Sequence, residues 1–359
     1  MTANTEKVMP AMEADVSAKN VSEAIAPERI GFLLQPRFSM LSLFSALEPL
    51  RVANRFGGKL FSWHFFSVDG ESIVSSSGIP VAVESGIDQI ANFPVMFVCS
   101  SFEPEASLDK LLLNWLRRLD RQGTVLGGIE TGCYALAHAG LLNEHRVALH
   151  WEARSAFTES FPRLTTSEQL YQADSKRLTC AGGISAMDMM LHLIQSRHGD
   201  ALTAQVCDAF MHDGMRQSSQ LQRMQTVERF GIRHADVAEV IELMEQNLEE
   251  PLTASELAQF SGVQLRQLER LFRKHCHDTP TRFYLRLRLE RARQLLKQTQ
   301  MTVVEVAVAC GFRSPEYFSR RYRAVFGMAP REDRKMAPEL SRMALGQNTS
   351  VDDVVNYAL

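Results

Sequence analysis

The chain has 359 residues, of which 45% are hydrophobic and 23% charged, with a formal net charge of −3. That length suits two domains rather than one, and that balance is the composition of a folded protein rather than a disordered one. No apolar run approaches the roughly 18 to 20 residues needed to cross a bilayer, so no transmembrane helix and no membrane partner are expected.

Residues 1–27 are rich in Ala, Ser, Glu and Asn and show no clear period, which predicts a disordered lead. With Glu6, Lys7, Glu13, Asp15 and Lys19 and no apolar core, this segment is not a secretory signal, and the cytoplasm is the expected compartment. Strand-like runs then alternate with helical patterns. Residues 29–34, 61–67, 94–99 and 124–127 read as strands. Residues 41–56 have helical spacing, and Leu108, Leu111, Leu112, Trp115, Leu116 and Leu119 mark one face of an amphipathic helix. The strand at 124–127 runs directly into a turn and a helix through Ala139, and helices at 184–198 and 201–211 close the unit. The alternation predicts an α/β sandwich with a mostly parallel sheet over residues 28–212.

Residues 213–235 form an expected linker, with the polar, turn-prone run Gly214-Met215-Arg216-Gln217-Ser218-Ser219-Gln220. Residues 236–336 read as an all-α domain, and 337–359 as a polar tail. The six cysteines, Cys99, Cys133, Cys180, Cys207, Cys276 and Cys310, are scattered without a C-x-x-C pair. Reduced thiols are expected, with no metal site and no cofactor.

Charge is unevenly spread. Residues 264–335 hold 17 Lys and Arg against 7 Asp and Glu, while the rest of the chain holds 22 against 35. A basic segment beside an acidic body suggests a polyanion-binding module attached to something else. The basic half is also internally duplicated. Thr253, Glu256, Ala258 and Gly262 recur as Thr302, Glu305, Ala307 and Gly311, and Arg270, Phe272, Arg273 and Pro280 recur as Arg320, Tyr322, Arg323 and Pro330. Each copy opens on a Thr-x-x-Glu capping box, passes through a short helix to a glycine, and continues into a second amphipathic helix. That is the grammar of a helix-turn-helix unit.

In the first copy Leu265, Leu268, Leu271 and Phe272 are expected inward, with Gln264, Arg266, Gln267, Arg270, Arg273 and Lys274 outward. In the second, Phe318, Tyr322, Val325 and Phe326 form the core face, and Glu316, Ser319, Arg320 and Arg323 the outer face. Arg and Gln can bond base edges bidentately in a major groove, while Lys and further Arg neutralise phosphates. A continuous helix over 281–297, with Arg286, Arg288, Arg291 and Arg293 expected outward, would hold the two heads about 25 Å apart, near the spacing of successive major grooves. A solvated basic bundle is the competing reading; matched caps, glycines and arginines favour DNA.

The phrases "LRQLERLFRKH", "LRLRLERARQLLKQT" and "VVEVAVACGFRSPEYFSRRYRAVFGMAPRE" make residues 238–336 resemble the AraC/XylS transcription-factor DNA-binding domain. The resemblance implies two helix-turn-helix units reading a promoter, with base-reading positions within 264–270 and 314–320, the second range opening on Ser314.

The stretch "VLGGIETGCYALAHAGLLNEHRVALHWE" resembles the class I glutamine amidotransferase-like superfamily, which includes the PfpI-like peptidases, and the likeness extends more weakly over residues 28–212. It implies a strand, a tight turn carrying a nucleophilic Cys, and a following His. Here the turn is Ile129-Glu130-Thr131-Gly132, the nucleophile position holds Glu130, and the His is His150. Cys133, three residues on, would sit about 4.5 Å along a helix axis and roughly 300° around from the elbow, out of reach of the same point. Counting back from Pro49 puts Ser45 at the family's other acidic position, with Glu48 nearby. No catalytic residue is therefore expected, since nucleophilic catalysis needs an activated thiol or its equivalent at the elbow.

What remains is an expected pocket at the C-terminal sheet edge, with Met40, Ser100, Glu130, Thr131, His150 and Trp151 as its ligand-binding residues. A partly buried carboxylate needs a partner. Two partners are open for Glu130: a protein group such as His150 or Arg37, or a cationic amine seated over Trp151, such as a betaine, carnitine, another quaternary ammonium or a basic amino acid. The sequence thus points to a DNA-binding transcriptional regulator, read by analogy as an activator, with promoter DNA, a small effector, RNA polymerase and a second copy of itself as partners. The alternatives are an amidotransferase-like enzyme with a DNA-binding tether, and an architectural DNA binder with an inert oligomerisation domain.

Overall fold

The computed structural model describes residues 26–90, 92–222, 230–232, 234–299 and 301–335. The expected tail, and the expected lead apart from residues 26 and 27, lie outside the described residues. In chain order the N-terminal half contains β1 (Glu28–Leu34), α1 (Met40–Gly57), β2 (Phe61–Ser67), β3 (Ile73–Val74), β4 (Pro80–Val81), β5 (Ser85–Gly86), β6 (Val95–Ser100), α2 (Lys110–Arg121), β7 (Val125–Glu130), α3 (Cys133–His138), β8 (Arg146–Ala148), α4 (Arg154–Ser160), β9 (Thr165–Ser167), β10 (Tyr171–Ala173), β11 (Arg177–Cys180), α5 (Ser185–His198) and α6 (Asp200–Ala209).

Seven strands form one sheet in the order β10-β11-β7-β6-β1-β2-β5, parallel throughout except for the antiparallel β10–β11 pair. The central strands are apolar on both faces, as strands covered by helices on both sides must be. Ile30, Phe32 and Leu34 of β1 and Val95, Phe97 and Cys99 of β6 pack with α1, α5 and α6. Leu33, Met96 and Val98 pack on the opposite face with α2, α3 and Phe157 of α4. The chain leaves β1 towards β2 on one side and later crosses to β6 on the other. The order of winding therefore reverses between β1 and β6, and the C-terminal ends of these strands are the place where open α/β sheets bind ligands.

The segment expected as a linker does not hang free where it is described. The Arg216 guanidinium pairs with the fully buried Asp188 of α5 at 2.6 Å, and the Gln222 amide donates to the carbonyls of Leu149 and Gln169. A buried carboxylate without a cation would be costly, so Asp188 ties this stretch to α5.

The C-terminal half is helical: α7 (Ala235–Gln246), α8 (Ala254–Phe260), α9 (Leu265–His275), α10 (Pro280–Gln298), α11 (Val303–Ala309), α12 (Pro315–Phe326) and α13 (Pro330–Lys335). Two cores form on either side of α10. Phe283, Tyr284 and Leu287 of α10 join Leu257, Leu268 and Phe272, while its Leu289, Ala292, Leu295 and Leu296 join Val306, Phe318 and Tyr322. The helix is thus a shared spine about 28 Å long.

That double use corrects the expected orientation of its arginines. Arg286 is exposed, but Arg288, Arg291 and Arg293 are half-buried. Arg288 donates to the carbonyls of Cys310 and Gly311 at 2.8 and 2.6 Å, and Arg293 donates to the buried Asp333 at 2.7 Å. A helix packed on two sides leaves a narrow outer face, and the orphan carbonyls at the end of α11 need donors. Leu265 and Val325 are also turned the other way from expectation, 37% and 46% exposed. Each lies in a terminal turn of its helix.

Candidate functional site

Two places hold the residues singled out by the sequence. The first is the pair of helix-turn-helix units. In each, the capping box is formed: the Glu256 and Glu305 backbone N–H groups donate to the Thr253 and Thr302 hydroxyls at 3.2 Å, and each glutamate accepts from its threonine's N–H. This satisfies orphan donors at both helix starts. The turns pass through Gly262 and Gly311 at φ +68° and +71°, a left-handed conformation that costs glycine little. Val263 and Phe312 then close each turn by donating to Ala258 and Ala307. The following helices are anchored by the buried Leu268, Leu271 and Phe272 in one unit and by Phe318 and Tyr322 in the other.

The opposite faces are open. Gln264, Arg266, Gln267, Arg270 and Arg273 of the first unit are exposed, as are Glu316, Arg320 and Arg323 of the second. Ser319 is half-buried. Ser314 is half-buried too and is the N-cap of α12, accepting from the Tyr317 N–H and donating to Glu316. Two residues not singled out as outward by periodicity share this surface. Tyr317 is 42% exposed with the Arg320 guanidinium over its ring, and Leu265 stands beside Gln264 and Arg266. Leu265 is expected inward from the sequence, and Tyr317 is assigned there to neither face. Arg313, in the second turn, is exposed as well.

The second place is the elbow after β7. Glu130 has φ +63°, the strained turn that the resemblance implied. Gly132 makes it possible: a Cβ there would lie 1.9 Å from the Val98 carbonyl oxygen. The Glu130 carboxylate accepts from the Ser42 hydroxyl at 2.6 Å and from the Ser101 hydroxyl at 2.5 Å. Ser42 in turn accepts from the Gly183 N–H at 2.7 Å, and Thr131 donates to the Ser101 carbonyl.

This geometry corrects the expected protein partners of Glu130. Arg37 is instead paired with Glu103 at 3.0 Å, and His150 Nδ1 accepts from the Glu152 N–H at 3.4 Å. Among the described residues, no cation lies within ion-pair distance of Glu130. The residue of α1 that meets the elbow is Ser42, not Ser45: Ser42 is one turn closer to the N-terminal end of the helix, where the sheet edge lies. Cys133 opens α3 and is fully buried, and burial raises its thiol well above the usual range.

The other expected pocket residues differ in exposure. Ser100 directly neighbours Glu130 across the β6–β7 ladder, is 2% exposed, and its hydroxyl has no hydrogen-bond partner among the described residues. The same holds for the side-chain nitrogen of Gln35, 1% exposed at the end of β1. Buried polar groups left unpaired are uncommon and mark a place where another molecule can bond. Met40 is half-buried in the first turn of α1, and the half-buried His150 and Trp151 rings stand 5.6 Å apart. A cavity of about 290 Å³ opens elsewhere, between Glu103, Glu105, Tyr134, Glu159, Thr299 and Met301, and none of the six expected pocket residues lines it.

A mostly parallel α/β half joined to two helix-turn-helix units with open basic helices defines a transcriptional regulator of helix-turn-helix type. A family model described as a helix-turn-helix domain matches residues 257–336. The chain is 47% identical over 307 residues to the HTH-type transcriptional regulator CdhR of Pseudomonas aeruginosa, spanning 86% of this chain and 91% of that one. It is 43% identical over 313 residues to the HTH-type transcriptional regulator GbdR of the same species, spanning 87% and 85%. A solved AraC family transcriptional regulator from Pseudomonas putida is 28% identical, with a TM-score of 0.48, over 51% of this chain and 100% of that one. The chain belongs to the AraC family of transcriptional regulators.

Proposed function

We propose that this regulator responds to a small cationic amine, such as a betaine, carnitine, another quaternary ammonium or a basic amino acid, held against Glu130. The observation that carries the reading is the elbow carboxylate: two hydroxyls bond it, yet no described cation neutralises it. A desolvated carboxylate gains strongly from a cation, and an aromatic face such as Trp151 adds about 0.5 to 2 kcal/mol. The unpaired Ser100 hydroxyl and Gln35 amide, at the ends of β6 and β1, are further groups able to bond a ligand. On this reading α9 and α12 bind promoter DNA, a second copy of the chain improves binding to repeated sites through effective concentration, and contact with RNA polymerase makes the protein an activator in the cytoplasm.

The enzyme reading is disfavoured by the same site. The elbow offers a carboxylate already engaged by two donors, and the thiols around it, Cys99, Cys133 and Cys180, are all buried, which raises each above the usual thiol range. A thermal-shift screen of amines is the direct test, because a ligand stabilises by RT ln(1 + [L]/Kd). Calorimetry with Glu130→Gln then follows: the affinity for the stabilising amine drops on the counter-ion reading, and an unchanged affinity rules that role out. Cleavage of an amide by the purified protein would restore the enzyme.

A further inference from the structure

Among the described residues, the two halves of the chain meet where α4 reaches α10. In α4 and the residues before it, the Glu152 carbonyl accepts a 3.3 Å hydrogen bond from Arg291 of α10, and Ala156 is buried within the α10–α12 core beside Leu289 and Ala292. The contact is poorly satisfied. The Arg291 Nη2 is buried with no hydrogen-bond partner among the described residues, and desolvation lowers the guanidinium's affinity for its proton. Glu159, the acid of α4, is exposed; partial desolvation still raises its carboxyl, with Arg291 working against that. An interface of this size and quality is held by little free energy, so it can be made or broken by a modest differential affinity.

Its position is what gives it meaning. On the α/β side, Glu152 follows His150 and Trp151 directly, and Tyr134 of α3, four residues past the elbow, donates to the carbonyl of Ala153. On the helical side, Arg288 lies one turn before Arg291 on α10 and holds the carbonyls of Cys310 and Gly311, the turn of the second helix-turn-helix unit, with its guanidinium over Phe312 at 4.3 Å. A continuous chain of packed groups therefore runs from the Glu130 elbow to the turn that sets α12.

We infer that the α4–α10 contact, gripped by Arg291, is the joint through which the α/β half and the second DNA-reading unit bias one another. This rests on the reading of the α/β half as a sensor. Coupling between two sites is reciprocal, so DNA must alter the α/β half whether or not its effector is known. The test therefore uses duplex DNA alone, selected from a random pool by the wild-type chain, and follows amide hydrogen exchange. In the wild type, duplex should change exchange across residues 150–160 by about fivefold or more. In Arg291→Ala that change should vanish while duplex is still bound. Ala156→Arg, which breaks the contact from the α/β side and lies outside the DNA-binding helices themselves, should behave alike provided that duplex is still bound. No change in the wild type, or an equal change in both variants, overturns the joint. A failed amine screen would instead count against the sensor reading, and the two failures stay distinguishable.

Discussion

Ser42 and Glu130, 88 residues apart in the chain, meet through a 2.6 Å hydrogen bond that fixes the carboxylate at the C-terminal edge of the sheet. The Ser42 hydroxyl also receives the Gly183 N–H, so one small side chain joins α1, the elbow and the loop before α5.

Ser42→Ala removes both bonds at once and leaves a carboxylate oxygen and a backbone N–H without their partner. The expected loss is about 1 to 3 kcal/mol of stability, read by urea denaturation. Ser42→Thr keeps the hydroxyl and should retain most of it. Equal stability of the alanine variant and the wild type would show that the bond contributes nothing.

Gly132→Ala should be far more damaging, because its methyl would overlap the Val98 carbonyl, which is held in the sheet. A loss above about 4 kcal/mol is expected, enough to leave little folded α/β half by circular dichroism. The two helix-turn-helix glycines should differ. At Gly262 an added Cβ meets nothing within 4 Å, so alanine suffers only the left-handed backbone, about 1 to 2 kcal/mol. At Gly311 it would also meet the Leu248 and Glu249 carbonyl oxygens at 2.7 Å, and the melting temperature should fall further.

Asp333 is buried and receives Tyr322, Arg293 and Lys297, joining α10, α12 and α13. Burial raises its carboxyl, but the bonds from Tyr322 and Arg293 outweigh it and the pKa is lowered. A lowered folded pKa means that this stabilisation is complete above the unfolded value, about 3.9, and is lost as pH falls through the folded value. Asp333→Asn should lower stability at neutral pH by about 3 kcal/mol, the low end for a broken buried pair because Arg293 is partly exposed. It should also flatten the acid limb of the stability profile. An acid limb identical to the wild type would remove Asp333 from that role.

On the DNA-binding face, Arg266→Ala or Arg320→Ala should relax the base preference at one position of the selected site, at a cost of about 1 to 3 kcal/mol. Lys274→Ala should weaken all duplexes evenly and reduce the slope of log K against log salt by about 1. Competition binding at several salt concentrations separates these outcomes, and an even loss in the arginine variants would make them phosphate contacts.

Much of this molecule is written locally. A capping box spans four residues and a helix repeats every 3.6, so the paired Thr-x-x-Glu starts, the turn glycines and the anchoring Leu268, Phe272, Phe318 and Tyr322 are visible without any distant contact. The alternation of strands and helices likewise announces a parallel sheet. Partners were a different matter. Glu130 is met by Ser42 and Ser101 rather than Arg37 or His150, and Arg288, Arg291 and Arg293 turn inward although their spacing suggested an outer stripe. Periodicity reports that a side chain lies on a given face, but which neighbour covers that face depends on how remote segments cross. That crossing, set by the packing of the whole chain, decided what each buried charge touches.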